Sequence, residues 1–132
     1  MQFRETIFLI DDDLIQLKVA GKMIEQVIGS RKIKTFLEAE SALDFIKNHL
    51  EKPVFLPDTI LLDLNMPEMN GWDFLEVFEE IKPLITKEIK VYILTSSQDD
   101  ADMEKSTGYP SVFGYIVKPL TREKITKLFP AS

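Results

Sequence analysis

Residues 59–71 read TILLDLNMPEMNG: an apolar run ends in one carboxylate, Asp63, and passes at once into a loop. The loop is rich in Asn, Pro and Gly, the residue types that end strands and form turns. A strand that delivers an acid to its C-terminal end, with no helix continuing the apolar pattern, usually presents that acid instead of burying it. Asp also starts turns without any further role, so this stretch alone leaves a functional carboxylate and a turn residue as nearly equal alternatives.

Composition limits the class of protein. A chain of 132 residues is one domain by length, and it carries a net charge of -6 with 45% hydrophobic and 29% charged residues. The acidic balance argues against nucleic-acid binding, which needs a basic face. No apolar run approaches the length of a membrane span, the polar N-terminus has no signal-peptide core, and the chain has no cysteine for disulfides or thiolate chemistry. We therefore expect a cytoplasmic globular protein without membrane insertion.

Five short strands alternate with five helical segments along the chain. The predicted strands are Thr6–Ile10, Ile33–Phe36, Thr59–Asp63, Val91–Leu94 and Gly114–Val117. The predicted helices run from Asp13 to Gly29, over Ser41–Leu50, from Asn70 to Pro83, over Asp99–Ser106 and from Thr121 to Phe129, with a capping box at Asp13 and Gln16 and an N-cap at Asn70. Continuously apolar strands in this alternation predict an α/β fold, with one doubly wound, five-stranded parallel sheet flanked by five helices.

Polar side chains follow four of the five predicted strands. Asp11, Asp12 and Asp13 follow the first strand, Asp63 ends the third, Thr95 follows the fourth and Lys118 follows the fifth. In an open parallel sheet, ligands bind beyond the carboxyl ends of the strands, where the strand order reverses. One of the two common orders of such sheets is 2-1-3-4-5. If that order applies here, the first and third strands are neighbours and their acids converge.

Several carboxylates at one sheet edge raise one another's pKa values unless a cation neutralises them. Hard oxygen ligands suit Mg²⁺, and a carboxylate beside Mg²⁺, a Lys ammonium and a Thr hydroxyl has the parts of a phosphoryl-transfer site. Each residue also has a simpler explanation: the acids could cap a helix, Thr95 could bond the backbone, and Lys118 could lie at the surface. Their coincidence at four strand ends favours the phosphoryl site.

Four segments of the chain resemble the signature blocks of a known family. They are IFLIDDD (7–13), TILLDLNMPEMNG (59–71), VYILTSS (91–97) and GYIVKPL (114–120). Together they are similar to the response regulator receiver domain of two-component signalling, the CheY-like branch of the flavodoxin-like folds. The resemblance covers nearly the whole chain. It implies one receiver domain over residues 1–132 without an output domain.

The resemblance assigns roles to residues of the predicted site. It implies that Asp63 accepts a phosphoryl group, and that Asp12 and Asp63 bind Mg²⁺ by their side chains. Asp11 would bind the metal mainly through water, and Asn65 through its backbone carbonyl. Lys118 would pair with the phosphoryl group, and the bond from Lys118 to the following proline is expected to be cis.

The resemblance also implies a switch and the partners that use it. The Thr95 hydroxyl would move to the phosphoryl group while the Tyr115 ring turns inward, repacking the surface of the fourth helix, fifth strand and fifth helix. Asn65 and Ser97 would tune the lifetime of the phosphorylated state. A sensor histidine kinase or histidine phosphotransfer protein would be the donor in the phosphorelay, and an unknown downstream protein the target. The domain would catalyse its own phosphorylation and dephosphorylation without being an enzyme for other substrates.

Departures from the family pattern concern the output surface. Ser96 stands where the family often has Ala, and Gly108 and Pro110 predict a shortened or distorted fourth helix. His49, the only histidine, is expected at the surface of a helix.

Three alternatives compete with this interpretation. A phosphatase of the haloacid-dehalogenase type would use Asp11 and Asp13 as its acid pair, but the chain is short for that fold and the 59–71 block stays unexplained. A receiver-like interaction module that is never phosphorylated would typically lack the acceptor Asp or the Lys. Binding of FMN would need a hydroxyl- and glycine-rich loop after the first strand, where this chain has three acids.

Overall fold

A five-stranded parallel sheet forms the centre of the molecule, with helices on both faces. The structure is a computed structural model that describes residues 5–29 and 32–130, so the predicted domain of residues 1–132 extends beyond it at both ends. The elements are β1 (Thr6–Ile10), α1 (Leu14–Ile28), β2 (Lys32–Phe36), α2 (Ala39–Lys47), β3 (Thr59–Leu62), α3 (Gly71–Ile81), β4 (Lys90–Thr95), α4 (Asp100–Ser106), β5 (Val112–Val117) and α5 (Arg122–Leu128). Short 3₁₀ turns occupy Pro53–Phe55 and Lys82–Leu84.

The strand order is β2-β1-β3-β4-β5, and every neighbouring pair is parallel. The predicted fold class and strand order are therefore confirmed. Ile10 pairs with Leu62, and Thr95 pairs with Val117, so the strands reach the same edge of the sheet at these residues. Chain order reverses between β1 and β3, which makes this edge the switch point of the fold.

The sheet separates two apolar cores, because successive side chains of a buried strand point to opposite faces. One core contains Phe8, Ile10, Ile60, Leu62, Val91 and Ile93 with side chains of α2 and α3. The other contains Ile7, Leu9, Leu61 and Leu94 with Leu17 and Ile24 of α1 and Ile125 of α5. Burial on both faces explains why β1 and β3 read as unbroken apolar runs.

The edge strand β2 departs from the expected apolar pattern. Lys32 and Lys34 are exposed, and Phe36 is its one fully buried residue. An edge strand has a partner on one side only, and charged side chains along it discourage pairing with another chain. The expectation of continuously apolar strands is thus wrong for β2 and holds for the central strands.

Both ends of the second helix differ from the sequence prediction. The second helix starts at Ala39 and ends at Lys47, so it is offset from the predicted Ser41–Leu50, and His49 lies in the turn that follows. His49 is half-buried and stacks on Phe45 with ring centroids 4.2 Å apart, which corrects its predicted surface position on a helix. The tight turn after α2 lets the imidazole fold back over the helix end, where its Nδ1 lies 2.7 Å from the Phe45 carbonyl.

The start of α1 confirms half of the predicted capping box. The Asp13 carboxylate accepts hydrogen bonds from the backbone N–H groups of Ile15 and Gln16. The reciprocal half is absent from the described contacts, because the Asp13 N–H donates instead to Oδ1 of Asp11 at 2.9 Å. Asn70 caps α3 as predicted, in a complete capping box with Asp73.

Among residues 5–29 and 32–130, we find no helix with the length and apolar character that crossing a membrane requires.

Candidate functional site

Three carboxylates meet where β1 and β3 end. Oxygen atoms of Asp11, Asp12 and Asp63 all lie within 4.8 Å of one another. Asp11 and Asp63 are buried, with 7% and 6% of their surface exposed, whereas Asp12 is exposed. The pairing of β1 with β3 brings these acids together across more than fifty residues of sequence, as the strand order predicts.

Lys118 completes this charge cluster from the end of β5. Its ammonium Nζ donates to Oδ2 of Asp11 at 2.8 Å and lies 3.6 Å from Oδ2 of Asp63. The Lys118 N–H donates to the carbonyl of Thr95 at 2.7 Å, which fixes the lysine backbone against the end of β4. The bond from Lys118 to Pro119 is cis, as the resemblance implies.

The pKa values of this cluster follow from its burial. Burial raises the pKa of Asp63 from 3.8 to about 6, and the charges of Asp11 and Asp12 add to the rise. The Lys118 ammonium and the Asn65 N–H, which donates to Oδ1 of Asp63 at 3.2 Å, oppose it. Burial alone would lower the pKa of Lys118, but the hydrogen bond to Asp11 and the charges of Asp63 and Asp11 outweigh it, so this pKa is raised.

The donor set fits a small, hard divalent cation. Three carboxylates and one ammonium leave a net charge of about -2 when all are ionised. Two of the acids are held by the ends of buried strands, and the exposure of Asp12 leaves one side open to solvent. Carboxylate oxygens with hydrated open positions are the ligands that Mg²⁺ prefers. The cluster of Asp11, Asp12 and Asp63 therefore has the chemistry of a magnesium site.

The loop after Asp63 packs closely against the start of α3. Gly71 donates its N–H to the carbonyl of Leu64 at 3.0 Å. A Cβ at Gly71 would lie 2.7 Å from the carbonyl oxygen of Asp63 and 2.8 Å from Cα of Leu64. Only a residue without a side chain allows this approach, so Gly71 sets the position of the Asp63 backbone.

The predicted switch residues adjoin one another at the ends of β4 and β5. Thr95 is fully buried, and its Oγ1 accepts the N–H of Ser97 at 3.3 Å. Tyr115 is half-buried against the core, and its hydroxyl donates to the carbonyl of Ser97 at 3.0 Å. Ser97 therefore contacts both predicted switch residues through its backbone.

An apolar cavity of about 220 Å³ adjoins the cluster, which contributes Asp11, Asp63 and Lys118 to its wall. The remaining lining is mainly apolar and includes Leu9, Leu17, Ala20, Met23, Leu61, Leu94 and Leu120. This apolar floor is consistent with the raised pKa of Asp63, because a carboxylate beside apolar surface loses hydration.

The site thus brings together the residues that the sequence singled out, with two additions. Asp11, Asp12, Asp63 and Lys118 form one cluster, Asn65 contacts Asp63, and Thr95, Ser97 and Tyr115 form an adjacent group. Sequence reasoning missed the close approach of Gly71, although a Gly at the start of a helix that follows the acid could have indicated it. It also missed Asp102, which accepts a hydrogen bond from the Ser97 hydroxyl.

Sequence comparisons find a family and several relatives. A family model described as the response regulator receiver domain matches residues 7–129. The probable methanogenesis regulatory protein FilR2 of Methanothrix harundinacea is 26% identical over 121 residues, which cover 92% of this chain and 76% of that protein. A protein-glutamate methylesterase/protein-glutamine glutaminase of Treponema pallidum is 36% identical over 90 residues, 68% of this chain but 20% of the enzyme. The chain thus spans only a fifth of that enzyme's length.

Solved structures of two-component response regulators are also similar to this chain. A two-component response regulator from Cytophaga hutchinsonii superposes with a TM-score of 0.84 at 28% identity, covering 96% of both chains. A two-component response regulator from Legionella pneumophila has a TM-score of 0.80 at 26% identity, covering 96% of this chain and 95% of that one. The similarity therefore extends over nearly the whole chain.

Proposed function

The chain belongs to the response regulator receiver domain family, and we propose that Asp63 accepts a phosphoryl group from a phosphohistidine donor with Mg²⁺ as cofactor. The observation that carries the proposal is the position of the Asp63 carboxylate. It is buried at the end of β3, among the acids of the cluster, with the Lys118 ammonium 3.6 Å away. A nucleophile, a cation and a set of metal ligands at one point are what phosphoryl transfer requires.

The proposed reaction exchanges one bond to phosphorus for another. An oxygen of the Asp63 carboxylate attacks the phosphorus, the bond between phosphorus and the donor imidazole breaks, and the product is an acyl phosphate. Lys118 offsets charge on a phosphoryl oxygen, which requires its ammonium to exchange a carboxylate partner for that oxygen. When bound by Asp11, Asp12, Asp63 and the Asn65 carbonyl, Mg²⁺ supplies further charge compensation for the transferring oxygens.

The negative charge added at Asp63 would rearrange the neighbouring switch residues Thr95 and Tyr115. A phosphoryl group adds negative charge and three strong acceptors at Asp63. The Thr95 hydroxyl is a donor on the adjacent strand, and its movement toward the phosphoryl group requires it to release the Ser97 N–H, which it accepts at a long 3.3 Å. Tyr115 is tied to the same residue. We propose that this rearrangement changes the surface of α4, β5 and α5, and that Asn65 and Ser97 tune the lifetime by controlling water access.

The partners follow from the reaction. A histidine kinase or histidine phosphotransfer protein would supply the phosphoryl group, and a downstream protein would bind the altered surface. The domain would catalyse its own phosphorylation and dephosphorylation.

The phosphatase alternative would take its nucleophile from Asp11 and Asp13, and the contacts of these acids favour Asp63 instead. The carboxylate of Asp13 accepts the N–H groups of Ile15 and Gln16 at the start of α1, and Asp11 is bonded to Lys118 and to the Asp13 N–H. Asp13 is thus engaged as a helix cap. Asp11 and Asp63 each accept a backbone N–H through one oxygen, but Lys118 lies 2.8 Å from the other oxygen of Asp11 and 3.6 Å from that of Asp63, so Asp63 is the less tightly paired of the two.

The proposal is tested by incubating the protein with Mg²⁺ and acetyl phosphate and measuring its intact mass. We expect the gain of one phosphoryl group in the wild type and in Asp13→Asn, and no gain in Asp63→Asn. Labelling that survives Asp63→Asn, or an unlabelled wild type that also fails to bind beryllofluoride, would refute the proposal. Turnover of a phosphate ester that depends on Asp11 but not on Asp63 would favour the phosphatase instead.

A further inference from the structure

The Ser97 hydroxyl makes two hydrogen bonds at the start of helix α4, one as donor and one as acceptor. Its hydroxyl donates to Oδ2 of Asp102 at 2.7 Å. The same Oγ accepts the backbone N–H of Asp99 at 3.2 Å. Asp99 is the N-cap of α4, and Asp102 lies three residues later. The hydroxyl of Ser97 therefore links the N-cap backbone N–H to the carboxylate of Asp102 in the first helical turn.

This arrangement is an extended form of the capping box. In an ordinary capping box, the acid at the third helical position accepts the N–H of the N-cap directly, and Asn70 and Asp73 of α3 do so at 3.1 Å. In α4, the corresponding N–H reaches Asp102 only through the Ser97 hydroxyl. The first turn of α4 is thereby joined to a residue that lies two positions before its N-cap.

The other two polar groups of Ser97 lead to the predicted switch pair. Its N–H donates to Oγ1 of Thr95, and its carbonyl accepts the hydroxyl of Tyr115. The backbone N–H and carbonyl of Ser97 thus bond the switch residues, whereas its side chain bonds α4. A displacement of Ser97 as a whole would therefore change its contacts with the switch residues and with α4.

We propose that Asp102 is a positioning residue of the switch, which holds Ser97 so that its carbonyl receives the Tyr115 hydroxyl. Asp102 acts through Ser97 and has no part in the chemistry at Asp63. Because a hydrogen bond to a carboxylate is stronger than one between neutral groups, Asp102 contributes more to the loop conformation than the neutral contacts of Ser97. The consequence for signalling rests on the proposed function, whereas the positioning of Tyr115 does not depend on it.

Loss of the carboxylate releases the loop between Thr95 and Asp99. The conformation in which the Tyr115 hydroxyl bonds the Ser97 carbonyl then becomes less populated. On the proposed switch, the phosphoryl-bound state keeps this bond and releases only the Ser97 N–H from Thr95, so beryllofluoride binds more weakly by the lost fraction. Coupling within one hydrogen-bond network is commonly large enough for an effect of roughly threefold to tenfold. We expect a change of this size in the midpoint of beryllofluoride binding.

The test uses fluorine NMR of the full chain labelled with 3-fluorotyrosine. The three tyrosine resonances are assigned with tyrosine-to-phenylalanine variants. We compare Asp102→Ala with Asp102→Asn, which keeps an oxygen that accepts the Ser97 hydroxyl, and with Asp100→Ala. Asp100 is exposed and lies in the same first turn of α4, so its removal changes the charge of that turn equally. Thermal unfolding of each variant verifies that it is folded.

We expect Asp102→Ala to displace or broaden the Tyr115 resonance, while Asp102→Asn and Asp100→Ala leave it near the wild-type position. The double variant Ser97→Ala with Asp102→Ala should resemble Ser97→Ala alone, because both changes break one chain of bonds. Equal spectra for Asp102→Ala and Asp100→Ala would overturn the proposal. So would a double variant whose displacement is the sum of the two single ones.

Beryllofluoride titration then separates this inference from the proposed function. A midpoint that rises roughly threefold to tenfold in Asp102→Ala, but not in Asp100→Ala, supports the link to the switch. An unchanged midpoint together with a displaced Tyr115 resonance would overturn that link. If the wild type itself binds no beryllofluoride, the proposed function fails, and the spectra without beryllofluoride still decide whether Asp102 positions Tyr115.

Discussion

The ammonium of Lys118, at the end of β5, lies 2.8 Å from Oδ2 of Asp11, at the end of β1. The two residues are 107 positions apart, and the strands that carry them are separated in the sheet by β3 and β4. The lysine thus crosses the edge of the sheet, past Asp63 at 3.6 Å, to reach its partner. This bridge neutralises part of the acidic cluster and must be rearranged if Lys118 is to contact a phosphoryl oxygen.

Replacing Lys118 should therefore separate metal binding from the response to phosphorylation. In Lys118→Ala we expect the beryllofluoride response to weaken by about tenfold or more, the usual loss when a charged hydrogen-bond partner is removed. Mg²⁺ affinity should fall less, or rise, because the remaining acids carry more net negative charge. Calorimetric titrations with Mg²⁺ and then with beryllofluoride measure both. Lys127→Ala, which removes an exposed lysine of α5, is the control. An equal loss of both affinities would contradict the role assigned to Lys118.

The raised pKa of Asp63 predicts a pH dependence of stability in metal-free protein. Its pKa is about 6 when folded and 3.8 as an ordinary carboxyl group, so the folded state holds this proton more tightly. The free energy of unfolding should consequently fall as pH rises through this interval and stay lower above it. Asp63→Asn removes the effect. It should stabilise the protein at about pH 7.5 by roughly 1–2 kcal/mol, a value reduced from the full shift because solvent screens part of it.

Urea unfolding in EDTA at about pH 5 and about pH 7.5 measures this contribution. The matched control is Asp44→Asn, which removes the charge of an exposed acid of α2 outside the cluster. If Asp63→Asn were less stable than the wild type at the higher pH, the ionised carboxylate would be stabilising and the assignment of its raised pKa would be wrong.

The acidic edge was predictable because β1, β3, β4 and β5 are largely apolar runs that each stop at a polar residue. Asp63 and Lys118 could be placed at strand ends from this pattern alone. Their meeting depends on the strand order, which came from known doubly wound folds and not from the residues. The edge strand β2 was harder to predict, because Lys32 and Lys34 face solvent and interrupt its apolar pattern.

The role of Ser97 illustrates what the sequence does not contain. Its hydroxyl donates to Asp102 and not to Asp100, the other acid of the first turn of α4. That choice depends on how the loop after Thr95 turns. Local propensities do not determine this turn, because the loop is fixed by bonds to Tyr115 on another strand. The close contact of Gly71 with the Asp63 carbonyl is likewise a tertiary feature.

Gly71 is predicted to be intolerant of a side chain. A Cβ there would lie 2.7 Å from the Asp63 carbonyl oxygen and 2.8 Å from Cα of Leu64, and both are backbone atoms that cannot rotate away. Gly71→Ala should lower the free energy of unfolding by about 1–3 kcal/mol and slow labelling by acetyl phosphate, since Asp63 must shift. Gly108→Ala is the control, because its Cβ would come no nearer than 3.4 Å to the Lys105 carbonyl. A Gly71→Ala protein with wild-type stability and labelling would show that the loop adapts freely.

The loop after α4 is anchored to α3 by an aromatic contact, which gives the last prediction. Tyr109 stacks on Trp72 with centroids 5.8 Å apart, its hydroxyl lies 3.3 Å from Glu76, and the Lys105 ammonium lies 4.6 Å from the centre of the Trp72 ring. Tyr109→Leu should lower the free energy of unfolding by about 1 kcal/mol and shift the emission of Trp72, the only tryptophan, to longer wavelength. Tyr109→Phe keeps the stacked ring and loses only the hydroxyl contact, so its emission should match the wild type. Equal emission shifts in the two variants would assign the anchoring to the Glu76 contact and not to the stacked rings.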